Sequence, residues 1–301
     1  MLLQDEIRKL KREKKAVILA HYYVADEVKE IADYVGDSYY LSKAAVGTDA
    51  ERIILCGVSF MAESAKLLNP DKRVFMPDAS ADCPMAHMAR KNRVLLMREK
   101  YEDLAVVCYI NSTAEIKACS DVCVTSANAV KIVKKLPNRN LFFIPDGNLG
   151  AYVAKQVPEK NIILNEGFCP THAAITQEEV LATKKAYPQA EFVAHPECTQ
   201  EVLEEADYIG STSGMIQYVT ESASKEFIIG TETGVFYEIK EKNPDKLFYP
   251  VNARQICTNM KKVTLEKVLE VLKSEKNEIF VEEELSLAAM RPLERMLELG
   301  E

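Results

Sequence analysis

Three cysteines, Cys83, Cys169 and Cys257, lie 86 and 88 residues apart, and other reactive residue types recur in nearly the same rhythm. His21, Tyr109 and His195 form one set, Tyr23, Asn111 and Glu197 a second, and Ser38, Ser126 and Thr212 a third. Gathered in one place, three thiolates suit an iron–sulfur cluster with one iron lacking a protein ligand, with zinc as the competing centre. Structural zinc favours local C-x-x-C pairs, which none of the three cysteines has. Core packing suits Cys56, Cys108, Cys119, Cys123 and Cys198, but filling a core gives no reason for periodic placement. Cys119 and Cys123 open a C-x-x-x-C-x-x-C pattern whose third position is Ser126; on a helix the pair would share one face and simply pack. The hydroxyls of Ser38, Ser126 and Thr212 each precede a helical pattern, where they can cap a helix or help its free N–H groups hold an anion. The histidines, tyrosines and Glu197 supply proton donors and acceptors. His172 and Met260 each follow a repeated cysteine by three residues, which puts them beside the same centre.

These residues need elements that carry them to a common point, and the register comes from an internal echo. I-A-D-Y-V-G-D-S at 31 to 38 returns as E-A-D-Y-I-G-S-T at 205 to 212, and N-P-D-K at 69 to 72 returns at 243 to 246, both at an offset of 174. A degenerate middle copy, S-D-V-C-V-T-S, occupies 120 to 126. Each unit reads as an apolar run, a helical pattern, a glycine or hydroxyl turn, a second helix, another apolar run and helix, and a last strand before the cysteine. Strands alternating with helices at this spacing predict parallel sheets covered on both faces. The expected fold is α/β: three homologous αβα three-layer sandwich domains about a pseudo-threefold axis, spanning 1–103, 104–189 and 190–301. His21, Tyr109 and His195 then fall at strand C-termini, where such sheets place ligand-binding residues. The N-terminal segment reads as an amphipathic surface helix, and 263 to 299 as outer helices, the last one starting at Pro292.

Composition narrows the partners. A chain of 301 residues with 48% hydrophobic and 28% charged residues has the makeup of a folded globular protein, and 38 basic against 46 acidic side chains give a formal charge of −8. That balance disfavours nucleic acid and membrane surfaces, so an acidic substrate must be held by local groups. No apolar stretch approaches the length of a membrane span, and the N-terminus lacks the apolar core of a signal peptide, so the expected location is cytoplasmic. There, eight cysteines do not form a disulfide framework.

With these residues assembled, the chain resembles the quinolinate synthase family from about residue 16 to 300. The likeness rests on A-H-Y-Y (20 to 23), G-D-S (36 to 38), F-M-A-E (60 to 63), Y-I-N-S (109 to 112), T-S-A-N-A (125 to 129), N-L-G (148 to 150), G-F-C-P-T-H (167 to 172), H-P-E-C (195 to 198), G-S-T (210 to 212) and C-T-N-M (257 to 260). Gly147 stands where the family pattern suggests arginine, and the C-terminal C-x-x-C-x-x-C element of some members is absent, so no regulatory disulfide is expected there. The resemblance implies an enzyme of NAD biosynthesis that condenses iminoaspartate with dihydroxyacetone phosphate to quinolinate, releasing phosphate and water. It implies a [4Fe-4S] cluster held by Cys83, Cys169 and Cys257, with one open iron in a nonredox role. It also implies an L-aspartate oxidase or dehydrogenase as the functional partner that produces iminoaspartate. Tyr23, Glu197, Tyr109 and His195 are then candidates for proton transfer and His21 for orienting substrate. Ser38, Asn111, Ser126, Thr212, His172 and Met260 are candidates for substrate binding. A noncatalytic small-anion binding protein with packed cysteines keeps the same fold, and an electron-transfer protein is a further alternative.

Overall fold

The computed structural model describes residues 2–300. Three four-stranded parallel sheets repeat one topology. The first contains β1 (Ala16–His21), β2 (Tyr34–Gly36), β3 (Arg52–Cys56) and β4 (Arg73–Phe75), in the order β2-β1-β3-β4. The second contains β5 (Leu104–Tyr109), β6 (Val122–Val124), β7 (Asn140–Ile144) and β8 (Asn161–Leu164), ordered β6-β5-β7-β8. The third contains β9 (Glu191–Ala194), β10 (Tyr208–Ile209), β11 (Glu226–Gly230) and β12 (Leu247–Pro250), ordered β10-β9-β11-β12. The runs A-V-I-L-A, L-A-V-V-C and F-V-A form central strands because a strand covered on both faces buries every side chain.

The second strand of each sheet lies inside the repeated D-Y-V-G echo, a stretch that reads as a turn from glycine and hydroxyl content alone. Its preceding aspartate explains why the echo exists. The Asp33 N–H donates to the Ile18 carbonyl at 2.9 Å while its carboxylate accepts the Ile18 N–H at 2.8 Å. Asp121 repeats this with Val106 (2.9 and 2.6 Å) and Asp207 with Phe192 (2.8 and 2.7 Å). Each carboxylate therefore satisfies a backbone donor of the central strand that the short neighbouring strand leaves open. Lys11, Arg98 and Lys184 pair with the three aspartates from outside.

Two expectations are corrected. Cys119 ends the helix Ala114–Ala118 and Cys123 lies on β6, so the two thiols share no helix face; Cys123 instead faces its register partner Cys108 on β5. The last helix runs Glu283–Gly300 with Pro292 inside it rather than at its start. The residue four places earlier is Ala288, and Ala289, Pro292, Leu293 and Met296 are buried, so packing outweighs the missing N–H. This helix packs against the helices Ser59–Leu68 and Ala114–Ala118, spanning the first two units. The helix Leu265–Ser274 covers the N-terminal helix Leu3–Glu13.

Candidate active site

The C-terminal edges of the three sheets face one cavity of about 950 Å³, counting its open mouth. Cys83, Cys169 and Cys257 line it, from the loops that follow β4, β8 and β12, while none of the other five cysteines does. Each of the three sulfurs is met by backbone N–H groups two or three residues further on: those of Met85 and Ala86, of His172, and of Asn259 and Met260. Burial raises all three thiols, Cys83 to about 12, and these N–H groups pull the other way. A buried thiol whose anion is already provided with donors suits ligation by a cation, which displaces the proton.

The remaining sequence-chosen residues line the same cavity: His21, Tyr23, Ser38, Tyr109, Asn111, Ser126, His172, His195, Glu197, Thr212 and Met260. The two histidines at strand ends repeat one device. His21 Nδ1 accepts the Tyr23 N–H at 3.2 Å, and His195 Nδ1 accepts the Glu197 N–H at 3.3 Å. This leaves the proton of each neutral ring on Nε2, which in His195 lies 3.2 Å from Ser126 Oγ. Burial lowers both imidazoles to about 3, against the nearby Glu197 charge, so both are neutral hydrogen-bond donors at ordinary pH.

Glu197 is the charged counterpart. Burial works against its carboxylate, but the His172 ring and the Tyr109 hydroxyl, both hydrogen-bonded to it, hold it below the usual range. Tyr109 donates to Glu197 Oε1 at 2.5 Å, and Oε2 lies 2.7 Å from His172 Nδ1. His172 Nε2 is 2.8 Å from Thr231 Oγ1, which is 2.8 Å from the Tyr23 hydroxyl, itself 2.7 Å from Thr212 Oγ1. A continuous hydrogen-bonded chain thus joins Tyr23 to Tyr109. Burial raises both phenols well above their ordinary value, so both enter as protonated donors.

None of the three hydroxyls is a cap: Ser126 lies two residues ahead of Asn128, which holds the N-cap position of the helix Ala129–Lys135. Asp37 caps the helix Ser38–Gly47 by accepting the Tyr40 N–H, and Ser211 caps Thr212–Glu221 by accepting the Gly214 N–H. The neighbours cap, and Ser38 and Thr212 stand at the first helical positions, where backbone N–H groups favour an anion. Asn111 Oδ1 is buried without a partner in the cavity wall, as an atom meant for a ligand would be. Cys169, His172 and Glu197 also offer ligand atoms within 4.8 Å of one another, a compact group among the described residues.

Sequence reasoning missed Asp37, Thr231, Glu232 and Asp146. Glu232 is fully buried, lines the cavity, and accepts the Cys257 N–H at 3.1 Å with Lys261 at 3.1 Å. Asp146 caps the helix Gly147–Gln156 and is likewise buried. Asp146 and Glu232 occupy one repeat position, but the first unit has Val58 there, so no shared residue type drew attention to it. Gly147, the departure from the family pattern, has a structural reason. A Cβ there would lie 2.5 Å from the Asn165 carbonyl, and its N–H donates to Gly167 O at 2.7 Å, so the segment leading to Cys169 runs against bare backbone.

Comparison with known proteins agrees with this geometry. The family model described as quinolinate synthetase A protein matches residues 5–298. The quinolinate synthase of Fusobacterium nucleatum is 55% identical over 298 residues, covering 99% of each chain. That of Caldicellulosiruptor saccharolyticus is 52% identical over 298 residues, covering 99% of this chain and 98% of its own. That of Clostridioides difficile is 47% identical over 299 residues, with 99% and 98% covered. Matched from end to end, with three sheets delivering three cysteines to one polar cavity, the chain belongs to the quinolinate synthetase A protein family.

Proposed function

We propose that the chain condenses iminoaspartate with dihydroxyacetone phosphate to form quinolinate, phosphate and water in NAD biosynthesis, taking iminoaspartate from an L-aspartate oxidase or dehydrogenase. The observation that carries this reading is the convergence of Cys83, Cys169 and Cys257 on a cavity whose other walls hold neutral donors and the ionised Glu197 carboxylate. The family binds a metal cluster, and the donor set fits one: three buried thiols, each at a turn with N–H groups aimed at sulfur. Cys83, Cys169 and Cys257 would hold a [4Fe-4S] cluster with one iron open. Such a cluster supplies a Lewis acid for a departing hydroxyl.

The protein's own residues do the rest. Glu197, ionised and hydrogen-bonded to Tyr109, is the base of the site, and Tyr109 and Tyr23 are the phenols that deliver or receive protons along the chain through Thr231 and His172. His21 and His195 donate from Nε2 to substrate oxygens and orient them. Ser38, Thr212, Ser126 and Asn111, with the first turns of two helices, hold the carboxylates and the phosphate. His172 and Met260 close the wall beside the cysteine turns. Because these donors are hydroxyls, amides and backbone N–H groups, an acidic chain can still bind an acidic substrate.

The compact Cys169, His172 and Glu197 group favours a second reading, a single metal ion at those three residues. Metal analysis after anaerobic reconstitution separates the two. The cluster reading expects about four irons per chain, with both iron and quinolinate formation lost in Cys83→Ala, Cys169→Ala and Cys257→Ala. One ion per chain, retained in Cys83→Ala and Cys257→Ala, establishes the second reading.

A further inference from the structure

Two lysines have side chains out of contact with solvent, Lys29 and Lys117. They occupy equivalent repeat positions, each four residues before the aspartate that staples the central strand. The third copy of that position is Leu203. A leucine is what core packing asks for, and a buried ammonium is costly unless its donors are used. Both lysines use theirs in the same way.

Lys29 Nζ donates to the Gly234 carbonyl of the third unit at 2.7 Å and to the Tyr22 carbonyl of its own unit at 3.3 Å, and pairs with Asp26 at 2.9 Å. Lys117 Nζ donates to the Phe60 carbonyl of the first unit at 3.5 Å and more closely to its own Ser112 carbonyl. The contact with the first unit is doubled by Glu63, which accepts the Ala114 N–H at 2.9 Å on the helix that carries Lys117. Gly234 and Phe60 are themselves repeat equivalents, 174 residues apart. Tyr22 and Ser112 flank Tyr23 and Asn111, so each lysine fastens a site-bearing loop to the neighbouring unit. The approach at Gly234 is close: a Cβ there would lie 2.7 Å from the Tyr22 carbonyl and 2.8 Å from Tyr23 Cα. At the third seam Asn148, the counterpart of Phe60 and Gly234, makes the tie without a charge, its amide donating to the Glu197 carbonyl at 3.1 Å.

We propose that Lys29 and Lys117 are positioning residues which set the spacing between units, Lys29 acting on Tyr23 and Lys117 on Asn111 and Phe60. The proposal rests on the functional reading above, because the two loops have different tasks within it. Tyr23 moves protons, whereas Asn111 binds substrate and Phe60 lines the cavity wall. Small displacements of a reacting group lower turnover steeply, while displacement of a binding group raises KM.

The test compares iron-loaded wild type with Lys29→Met and Lys117→Met in kcat, KM, iron per chain and affinity for quinolinate by calorimetry. Lys117→Met is expected to raise KM and the quinolinate Kd about tenfold with kcat within about twofold. Lys29→Met is expected to lower kcat about tenfold or more with KM nearly unchanged. Iron per chain stays at the wild-type level in both. Wild-type constants in both variants overturn the proposal, as does an equal fall in active fraction with wild-type KM and Kd, which marks a purely structural role. Should either variant fail to fold, Glu63→Ala loosens the Lys117 seam and Asn148→Ala the third. The former must raise KM and the latter lower kcat, each by about twofold or more, or the proposal fails. A wild-type chain that makes no quinolinate defeats the functional reading instead, while quinolinate affinity and iron content still report on the seams.

Discussion

Glu197 keeps its negative charge inside a cavity wall because the His172 ring and the Tyr109 phenol hydrogen-bond to its carboxylate, and the same contacts give it access to a proton. Replacing it with glutamine preserves shape and most packing but removes the charge and the basicity. Glu197→Gln is therefore expected to keep iron content and the cluster spectrum while lowering kcat by about 10²- to 10⁴-fold, the range for loss of a positioned base. Full turnover in that variant would take Glu197 out of the mechanism. Residues of this kind were legible in the sequence because three copies of one unit put chemically related side chains in register, so that Tyr23, Asn111 and Glu197 pointed to one another. Their protonation states were not legible. Whether His195 donates or accepts depends on which backbone N–H meets Nδ1, a matter of loop geometry that no spacing encodes.

Elements show the same division. Apolar runs located the central and third strands of every sheet, since buried parallel strands are continuously hydrophobic. The second strands were missed: they are two or three residues long, and their echo ends in glycine and hydroxyls that resemble a turn. What makes them strands is the aspartate before each, whose carboxylate and N–H grip the central strand. Ile18 and Phe192 are fully buried, so removing the acceptor leaves a buried N–H without a partner. Asp33→Ala, Asp121→Ala and Asp207→Ala are each expected to cost about 1–3 kcal/mol in urea unfolding, with the asparagine variants recovering most of it. Equal stability of an alanine variant and wild type would mean that the repeated aspartate is not what holds the strand. Pro292 erred the other way, since a sequence rule for helix starts does not see the packing that tolerates proline within a turn.

At the scale of the whole molecule, three units meet at strand ends and bury groups that water would otherwise keep charged. His21 and His195 are held to about 3, far below the ordinary histidine value of 6.5, because burial penalises the imidazolium more than Glu197 favours it. Between these values the unfolded chain binds protons that the folded chain does not, so folding stability rises with pH across the window and falls as pH drops below 6.5. Each histidine contributes a slope of about 1.4 kcal/mol per pH unit once its unfolded form is fully protonated. Above pH 6.5 neither contributes. The interval pH 6.5 to 5 lies above the range in which ordinary carboxylates titrate, and because burial also raises the Asp146 and Glu232 carboxyls, which act on the slope in the opposite sense, the test is the difference between wild type and variant. In urea unfolding followed across it, the slope of stability against pH should be lower than that of wild type by up to one proton in His21→Gln and in His195→Gln. Identical slopes in wild type and both variants would mean that the imidazoles protonate within the folded protein, and with that the picture of His21 and His195 as neutral donors in the cavity wall would fall.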